Sequence, residues 1–245
     1  MGKVLLIIDP QNDFVDPKGS LYIPGAENGI DAICEFIEKE NPLHIIITQD
    51  THQVYHIGHP DFWVGDPKPF TKITIDDIES GKYQPKDGCI DYIYDYISQL
   101  PDKTHMIWPR HCINGSWGHA FPQKLIDTLI SWAKKDILSD YRVVQKGEYA
   151  LSEMYSAISR ANSTERDIKE SKLIDELAVF DKVYISGFAK DVCVAWTVKD
   201  LIASGEFNNK LVFLDKCMVG LDPNSKMLEI FTEGINKCNA VWKQE

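Results

Sequence analysis

A cysteine, an aspartate and a lysine in this 245-residue chain stand where each could act on the others. Cys193 lies in Gly187-Phe188-Ala189-Lys190-Asp191-Val192-Cys193-Val194, directly after the apolar run Val183-Tyr184-Ile185-Ser186. The pattern reads as a buried strand, a tight turn and a helix that opens at the thiol, where backbone N–H groups favour a thiolate. Asp9 ends the first apolar run, and Lys146 follows another. A thiol with an acid and an ammonium group in reach is equipped for nucleophilic attack with proton transfer. Each residue also has a plainer reading by itself. A buried cysteine can be packing, Asp9 a cap before a proline turn, and Lys146 a solvated lysine.

A second group of residues points to a metal. Asp50-Thr51-His52-Gln53-Val54-Tyr55-His56-Ile57-Gly58-His59 holds three of the seven histidines, and His111 follows in Trp108-Pro109-Arg110-His111-Cys112. A carboxylate and a histidine two residues on, Asp50 and His52, can bind one ion from a single loop, and the remote His111 can close the site. Mixed oxygen and nitrogen ligation suits zinc first, with iron or manganese as alternatives, and three protein ligands leave positions open for water or substrate. His56 and His59 are either further ligands or loop lining. Cys112 is a possible soft ligand, but it and His111 point to different sides if the segment is extended.

The elements that must position these groups are legible as alternation. Val4–Ile8, His44–Thr48, Thr104–Trp108, Val183–Ser186 and Leu211–Leu214 read as buried parallel strands, with Tyr141–Gln145 a weaker sixth. Helical patterns at Asn28–Glu38, Gln123–Lys134, Ser171–Leu177, Val194–Ile202 and Ser225–Ile235 alternate with them. The expectation is an α/β fold, a doubly wound, mostly parallel six-stranded sheet with helices on both faces. In such sheets ligands bind beyond the carboxyl ends of the strands. Asp9, Asp50, Trp108, Lys146 and Gly187 all fall at or just past those ends. No glycine-rich dinucleotide fingerprint or P-loop is present.

Composition narrows the field. The chain is long enough for one large domain, read as spanning 1–245 with an insertion at about 60–102. That insertion carries Pro60, Pro67, Pro69, Pro85 and Pro101 among many aromatics, and is expected to cap the pocket or contact another subunit. A net charge of -11 argues against nucleic acid and anionic membrane as partners. The N-terminus reads as a strand rather than a signal peptide, and no apolar run is long enough to span a membrane. The six cysteines form no CxxC pair, so a reducing, cytoplasmic setting is expected.

Taken in order, the motifs resemble those of the nicotinamidases, cysteine amidases (pyrazinamidase-type) of the isochorismatase-like hydrolase superfamily. The resemblance is carried by Leu6-Ile7-Ile8-Asp9-Pro10-Gln11-Asn12-Asp13-Phe14, by Thr48-Gln49-Asp50-Thr51-His52 with His56, by Trp108 to Ser116, and by Gly187 to Val194. Lys146-Gly147 with Tyr155-Ser156-Ala157 downstream resembles the family's lysine motif. It implies Asp9, Lys146 and Cys193 as a catalytic triad and Asp50, His52 and His111 as ligands of one divalent metal. It further implies that Phe14, Trp108 and Tyr155 clasp an aromatic ring, and that a cis peptide precedes Ala189. Backbone N–H groups of Ala189 and Cys193 would then stabilise an oxyanion. The implied reaction is nicotinamide plus water to nicotinate plus ammonia through a thioester, as in NAD salvage, with dimers or larger homo-oligomers frequent. Thr51 departs from the family's usual aromatic, and the segment between Asp50 and Trp108 is longer than in compact members.

Three other functions compete. One is a cysteine hydrolase of the same superfamily acting on another small amide or N-carbamoyl compound. The second is a metal hydrolase with zinc-bound water as nucleophile and Cys193 structural. The third is a metal- or nicotinamide-binding module without turnover.

Overall fold

A computed structural model describes residues 2–100 and 102–244; Pro101 of the insertion lies outside them. The strands are β1 (Lys3–Ile8), β2 (His44–Asp50), β3 (Lys72–Thr74), β4 (Thr104–Met106), β5 (Asp140–Lys146), β6 (Lys182–Phe188), β7 (Leu211–Val219) and β8 (Val241–Lys243). Six of them form one sheet in the order β5-β2-β1-β6-β7-β8, and every pairing in it is parallel. The central strand β1 is buried from Val4 to Ile8, as a strand covered on both faces must be. Leu5 and Ile7 face one apolar layer, and Val4, Leu6 and Ile8 face the other.

The helices that cover those faces are amphipathic. They are α1 (Asn12–Val15), α2 (Ala26–Glu40), α3 (Ile75–Glu79), α4 (Ile90–Gln99), α5 (Gln123–Ala133), α6 (Glu165–Lys169), α7 (Lys172–Ala178), α8 (Ala195–Ser204) and α9 (Glu229–Cys238). Helix α2 buries Ile30, Ile33, Cys34 and Ile37 and packs with α5 on the Leu5 and Ile7 side. Helices α7, α8 and α9 cover the opposite side. The chain winds from β1 through β2 to β5, then returns to β6 on the other flank of β1. The strand order therefore reverses between β1 and β6, where a crevice opens at the carboxyl ends. Asp9 and Cys193 follow these two strands. The close approach of β1 and β6 there requires glycine. Gly187 has φ +118°, and a Cβ on it would lie 2.0 Å from the Ile8 carbonyl oxygen.

Two elements differ from the sequence expectation. Thr104–Trp108 is not a strand of the main sheet; β4 ends at Met106 and pairs antiparallel with β3 in a separate two-stranded sheet. The place beside β2 is held by β5, in register from His44↔Asp140 to Asp50↔Lys146. The sixth position belongs instead to β8. Within the stretch expected as an insertion, Phe62, Trp63, Ile73, Ile78, Tyr96 and Ile97 are buried in a separate apolar cluster that also takes in Ile57 and Ile107 from its flanks. It grips the histidine loop through one carbonyl. Trp63 Nε1 donates to the Ile57 oxygen at 2.7 Å, and His105 Nε2 lies 2.9 Å from it.

Candidate active site

Lys146, the last residue of β5, is the centre of the strand-end cluster. Its Nζ lies 3.0 Å from Asp9 Oδ2, 3.0 Å from Asp50 Oδ1 and 3.7 Å from Cys193 Sγ, and it donates to the Met154 carbonyl at 2.9 Å. All four side chains are buried. Burial opposes the ammonium, but the carboxylates of Asp50 and Asp9 overcome it and hold the Lys146 pKa well above the usual lysine value. Burial raises Asp9, against the pull of Lys146. Burial also pushes the Cys193 thiol well above its usual value; Lys146 opposes this, while a hydrogen bond to Asp9 favours the protonated form. Lys146 pulls the thiol towards the thiolate, as expected from the sequence, but burial outweighs it.

Backbone geometry aims these groups. Asp9 has φ +48°, a left-handed conformation rare outside glycine and found at strained functional positions. The Thr48 hydroxyl fixes it by accepting from Asp9 N–H at 3.0 Å and donating to Asp9 Oδ1 at 2.6 Å. Cys193 sits in a wide helical turn, Lys190–Val194, that feeds into α8. The Phe188–Ala189 peptide is cis.

Asp50 faces two ways. Oδ1 holds Lys146, while Oδ2 lies 3.0 Å from His52 Nε2 and 3.4 Å from His111 Nε2. His52 Nδ1 lies 3.1 Å from the Gly147 carbonyl and His111 Nδ1 2.8 Å from the Pro109 carbonyl. A carbonyl can only accept, so both Nδ1 atoms carry hydrogen and both Nε2 lone pairs face the carboxylate. Lone pairs meeting a carboxylate demand a cation, either a proton or a metal. The Asp50 pKa, which burial would raise, is driven well below the usual range by His52 and Lys146. That of His52 is raised, because Asp50 outweighs its burial.

The structure adds His59. Donor atoms of His52, His59 and His111 lie within 4.8 Å of one another, and all three residues are buried. Neither ring nitrogen of His59 has a hydrogen-bond partner, and burial with its neighbouring histidines depresses its pKa to about 2. His56 differs. Its Nδ1 accepts from Gly58 N–H at 3.1 Å, so its Nε2 carries hydrogen and has no lone pair to offer. The donor set of one carboxylate and three neutral imidazoles fits a divalent ion. Cys112 is not part of it. Its N–H donates to Asp13 Oδ2 at 2.6 Å, and its thiol is buried with its pKa pushed well up by that burial.

Beside the thiol is a small cavity lined by Phe14, Trp108, Tyr155, Ala189, Val192 and Leu221, with Asp50, His111, Lys146 and Cys193 also on its wall. Trp108 Nε1 donates to the Tyr155 hydroxyl at 3.2 Å, and Phe14 meets the His111 ring edge-on at 5.5 Å. Such walls suit a flat aromatic ligand. Of the residues singled out from the sequence, Phe14, Asp50, Trp108, His111, Lys146, Tyr155, Ala189 and Cys193 line this one place, and Asp9 and His52 sit directly behind it against Lys146 and Asp50. Thr51 is not on the wall; its hydroxyl donates to the Gln49 carbonyl at 3.0 Å and lies 2.9 Å from His119 Nε2. Sequence reasoning missed Glu153, which lines the cavity, is fully enclosed and has its pKa raised by burial to about 7. A lone glutamate in a loop carries no pattern that marks it. His59 was visible only as one of several loop histidines.

No family model matches the chain. Its architecture is that of the isochorismatase-like hydrolases. A solved isochorismatase-like hydrolase from Alkaliphilus metalliredigens matches at TM-score 0.55 and 18% identity, covering 99% of this chain and 95% of its own. More particularly, the curated homologues are nicotinamidases. That of Saccharomyces cerevisiae is 26% identical over 215 residues, 86% of this chain and 85% of its own length. That of Acinetobacter baylyi is 27% identical over 229 residues, 94% and 86% respectively. Among solved structures, the yeast nicotinamidase bound to the inhibitor nicotinaldehyde matches with TM-score 0.70 and 23% identity, covering 99% of this chain and all of that one. The pyrazinamidase of Pyrococcus horikoshii in complex with zinc matches with TM-score 0.61 and 20% identity over the whole of both chains.

Proposed function

We propose that this protein hydrolyses nicotinamide to nicotinate and ammonia, with Cys193 as nucleophile. The observation that carries the reading is Lys146 Nζ, placed between Asp9 at 3.0 Å and Cys193 at 3.7 Å beside an aromatic-walled cavity. Asp9 takes the thiol proton as sulfur attacks the amide carbon. Lys146 steadies the negative charge through both states. Backbone N–H groups of Ala189 and Cys193 hold the oxyanion, an interaction whose loss typically costs about 3 kcal/mol. The proton on Asp9 passes to the leaving nitrogen, ammonia departs and a thioester remains. Water then hydrolyses the thioester to the acid, and the proton returns to sulfur. Phe14, Trp108 and Tyr155 hold the ring.

Asp50, His52, His59 and His111 are the residues that would hold a divalent metal, zinc in the first instance. Bound there, the ion supplies a Lewis acid for the ring nitrogen and so orients the substrate. The nicotinaldehyde and zinc complexes of the two structural relatives support this assignment. Another small amide is the less favoured substrate, since the curated homologues are nicotinamidases. The six free cysteines suit a reducing, cytoplasmic setting, and no described helix is long and apolar enough to cross a membrane.

The test is ammonia release from nicotinamide by metal-loaded protein beside its Cys193→Ala variant. Turnover is expected to fall by about 10⁵-fold in the variant, with the metal content per chain unchanged. Comparable turnover by both proteins would remove Cys193 from the chemistry.

A further inference from the structure

Asp191 lies in the turn Lys190–Val194, two residues before the thiol, and is 5% exposed. Its Oδ1 accepts from Leu221 N–H at 2.8 Å and its Oδ2 from Asp222 N–H at 2.9 Å. These donors belong to the segment that leaves the sheet after β7. The last registered pair of β6 and β7 is Phe188↔Val219, so the ladder has ended where Leu221 begins. Beyond it, Asp222 only organises a local turn, accepting from Asn224 N–H with its side chain and from Ser225 N–H with its carbonyl. Gly220 packs directly on the same carboxylate. A Cβ on Gly220 would lie 2.7 Å from Asp191 Oδ1, closer than contact allows. Leu221, held in this way, forms part of the cavity wall together with Val192 and Cys193.

We propose that Asp191 is a positioning residue that sets ring-size specificity through Leu221. It ties the cavity wall contributed by the β7 exit to the turn that carries the nucleophile, so the gap between wall and sulfur is set by one carboxylate. Hydrogen bonds to an ionised acceptor are short and directional, and two of them to successive N–H groups fix a loop in both position and tilt. The substrate that fits is a flat, single-ring heteroaromatic amide. A fused two-ring amide needs Leu221 to move. This inference rests on the amidase reading above.

The test compares nicotinamide with quinoline-3-carboxamide as substrates for the metal-loaded wild type, Asp191→Asn, Gly220→Ala, Leu221→Ala and the Asp191→Asn/Leu221→Ala double variant. The amide of Asp191→Asn keeps one acceptor and turns a donor towards the second N–H. Gly220→Ala displaces the same contact from the other side and serves if Asp191→Asn fails to fold. Each single variant is expected to raise the nicotinamide KM about 10-fold with kcat held within about twofold, and to shift the kcat/KM ratio about 10-fold towards the two-ring amide. The double variant is expected to be no worse than Leu221→Ala, since the wall that Asp191 positions is already gone. Hydrogen exchange at Leu221 and Asp222 is expected to quicken in Asp191→Asn. Additive effects in the double variant, or a fall in kcat with an altered alkylation pH profile of Cys193, would show that Asp191 acts on the nucleophile or the fold and overturn the proposal. An unchanged KM and substrate ratio with an active wild type overturns it as well. If the wild type releases no ammonia from nicotinamide, the amidase reading fails first and the specificity role falls with it.

Discussion

The lysine cluster and the histidine cluster lie side by side and share the carboxylate of Asp50, yet they are satisfied to different degrees. Around Lys146, one ammonium donates to Asp50, to a carbonyl and to the thiol and pairs in charge with Asp9, whose Oδ2 is the one oxygen of the cluster without a hydrogen bond. Around His59, buried imidazoles face one another with lone pairs unused. The first is built from strand ends of the main sheet, locked by the β2–β5 register that sets Asp50 opposite Lys146. The second depends on the insertion, whose core grips the loop between His56 and Gly58. A region whose charges meet one another within the chain and a region that calls for a cation should respond differently to perturbation.

The largest difference should come from Lys146→Met. Removing the ammonium strands two buried carboxylates and should cost about 3–5 kcal/mol of stability as well as turnover. Adding Asp9→Asn to that variant should recover part of the loss in a denaturant titration. If Lys146→Met unfolds at the wild-type midpoint, the cluster is not held together by its charges.

Acid should strike the insertion next. Burial depresses the His105 pKa to about 4, against 6.5 for a free histidine. A group depressed in this way contributes stability that is present above 6.5 and lost as pH falls through 4, because the unfolded chain takes up the proton first. The loss should reach about 3 kcal/mol from this residue. A His105→Gln variant should show a flatter stability profile between those pH values, read by thermal melts; an unchanged slope would count against the assignment.

The metal separates two neighbouring histidines. His59→Ala should weaken zinc binding by roughly 100-fold or more, whereas His56→Ala should weaken it by about 10-fold at most. Competition with a chromogenic chelator measures both, and equal effects would return His56 to the ligand set. The smallest effect belongs to the surface clip between the insertion and the segment that carries His111. Arg110 Nε donates to Asp61 Oδ2 at 2.9 Å, beside a second contact to Oδ1. This partly exposed pair should be worth about 1 kcal/mol or less. A double-mutant cycle of Arg110→Ala and Asp61→Asn gives the figure directly.

What could be read from the chain follows from the same contrast. The strands around the switch point are buried on both faces, so Val4–Ile8 and Val183–Ser186 announce themselves as apolar runs, and the acid and thiol follow them at fixed offsets. Lys146 could be found because it ends a strand. Thr104–Trp108 misled because an apolar run has the same appearance whichever sheet it joins, and its burial here is against Trp63 and Tyr96 of the insertion. Strand β8 is three residues long and largely exposed, so it left no signal. Glu153, Leu221 and the second role of Asp191 depend on contacts between distant loops, which spacing along the chain does not encode. His59 needed the hydrogen bond from Gly58 to His56 before the two could be told apart.

Because Asp50 divides its oxygens between Lys146 and the imidazoles, an ion held by the imidazoles would tie its own occupancy to thiol acidity in one linked equilibrium. Charge drawn from the carboxylate by a bound cation loosens its hold on the ammonium, leaving more of that positive field for sulfur. Thermodynamic reciprocity then requires that deprotonating Cys193 tighten the ion by the same factor. The alkylation rate of Cys193 should then double as a gauge of metal saturation, and a titration of either property carried out without controlling the other would measure a mixture of the two.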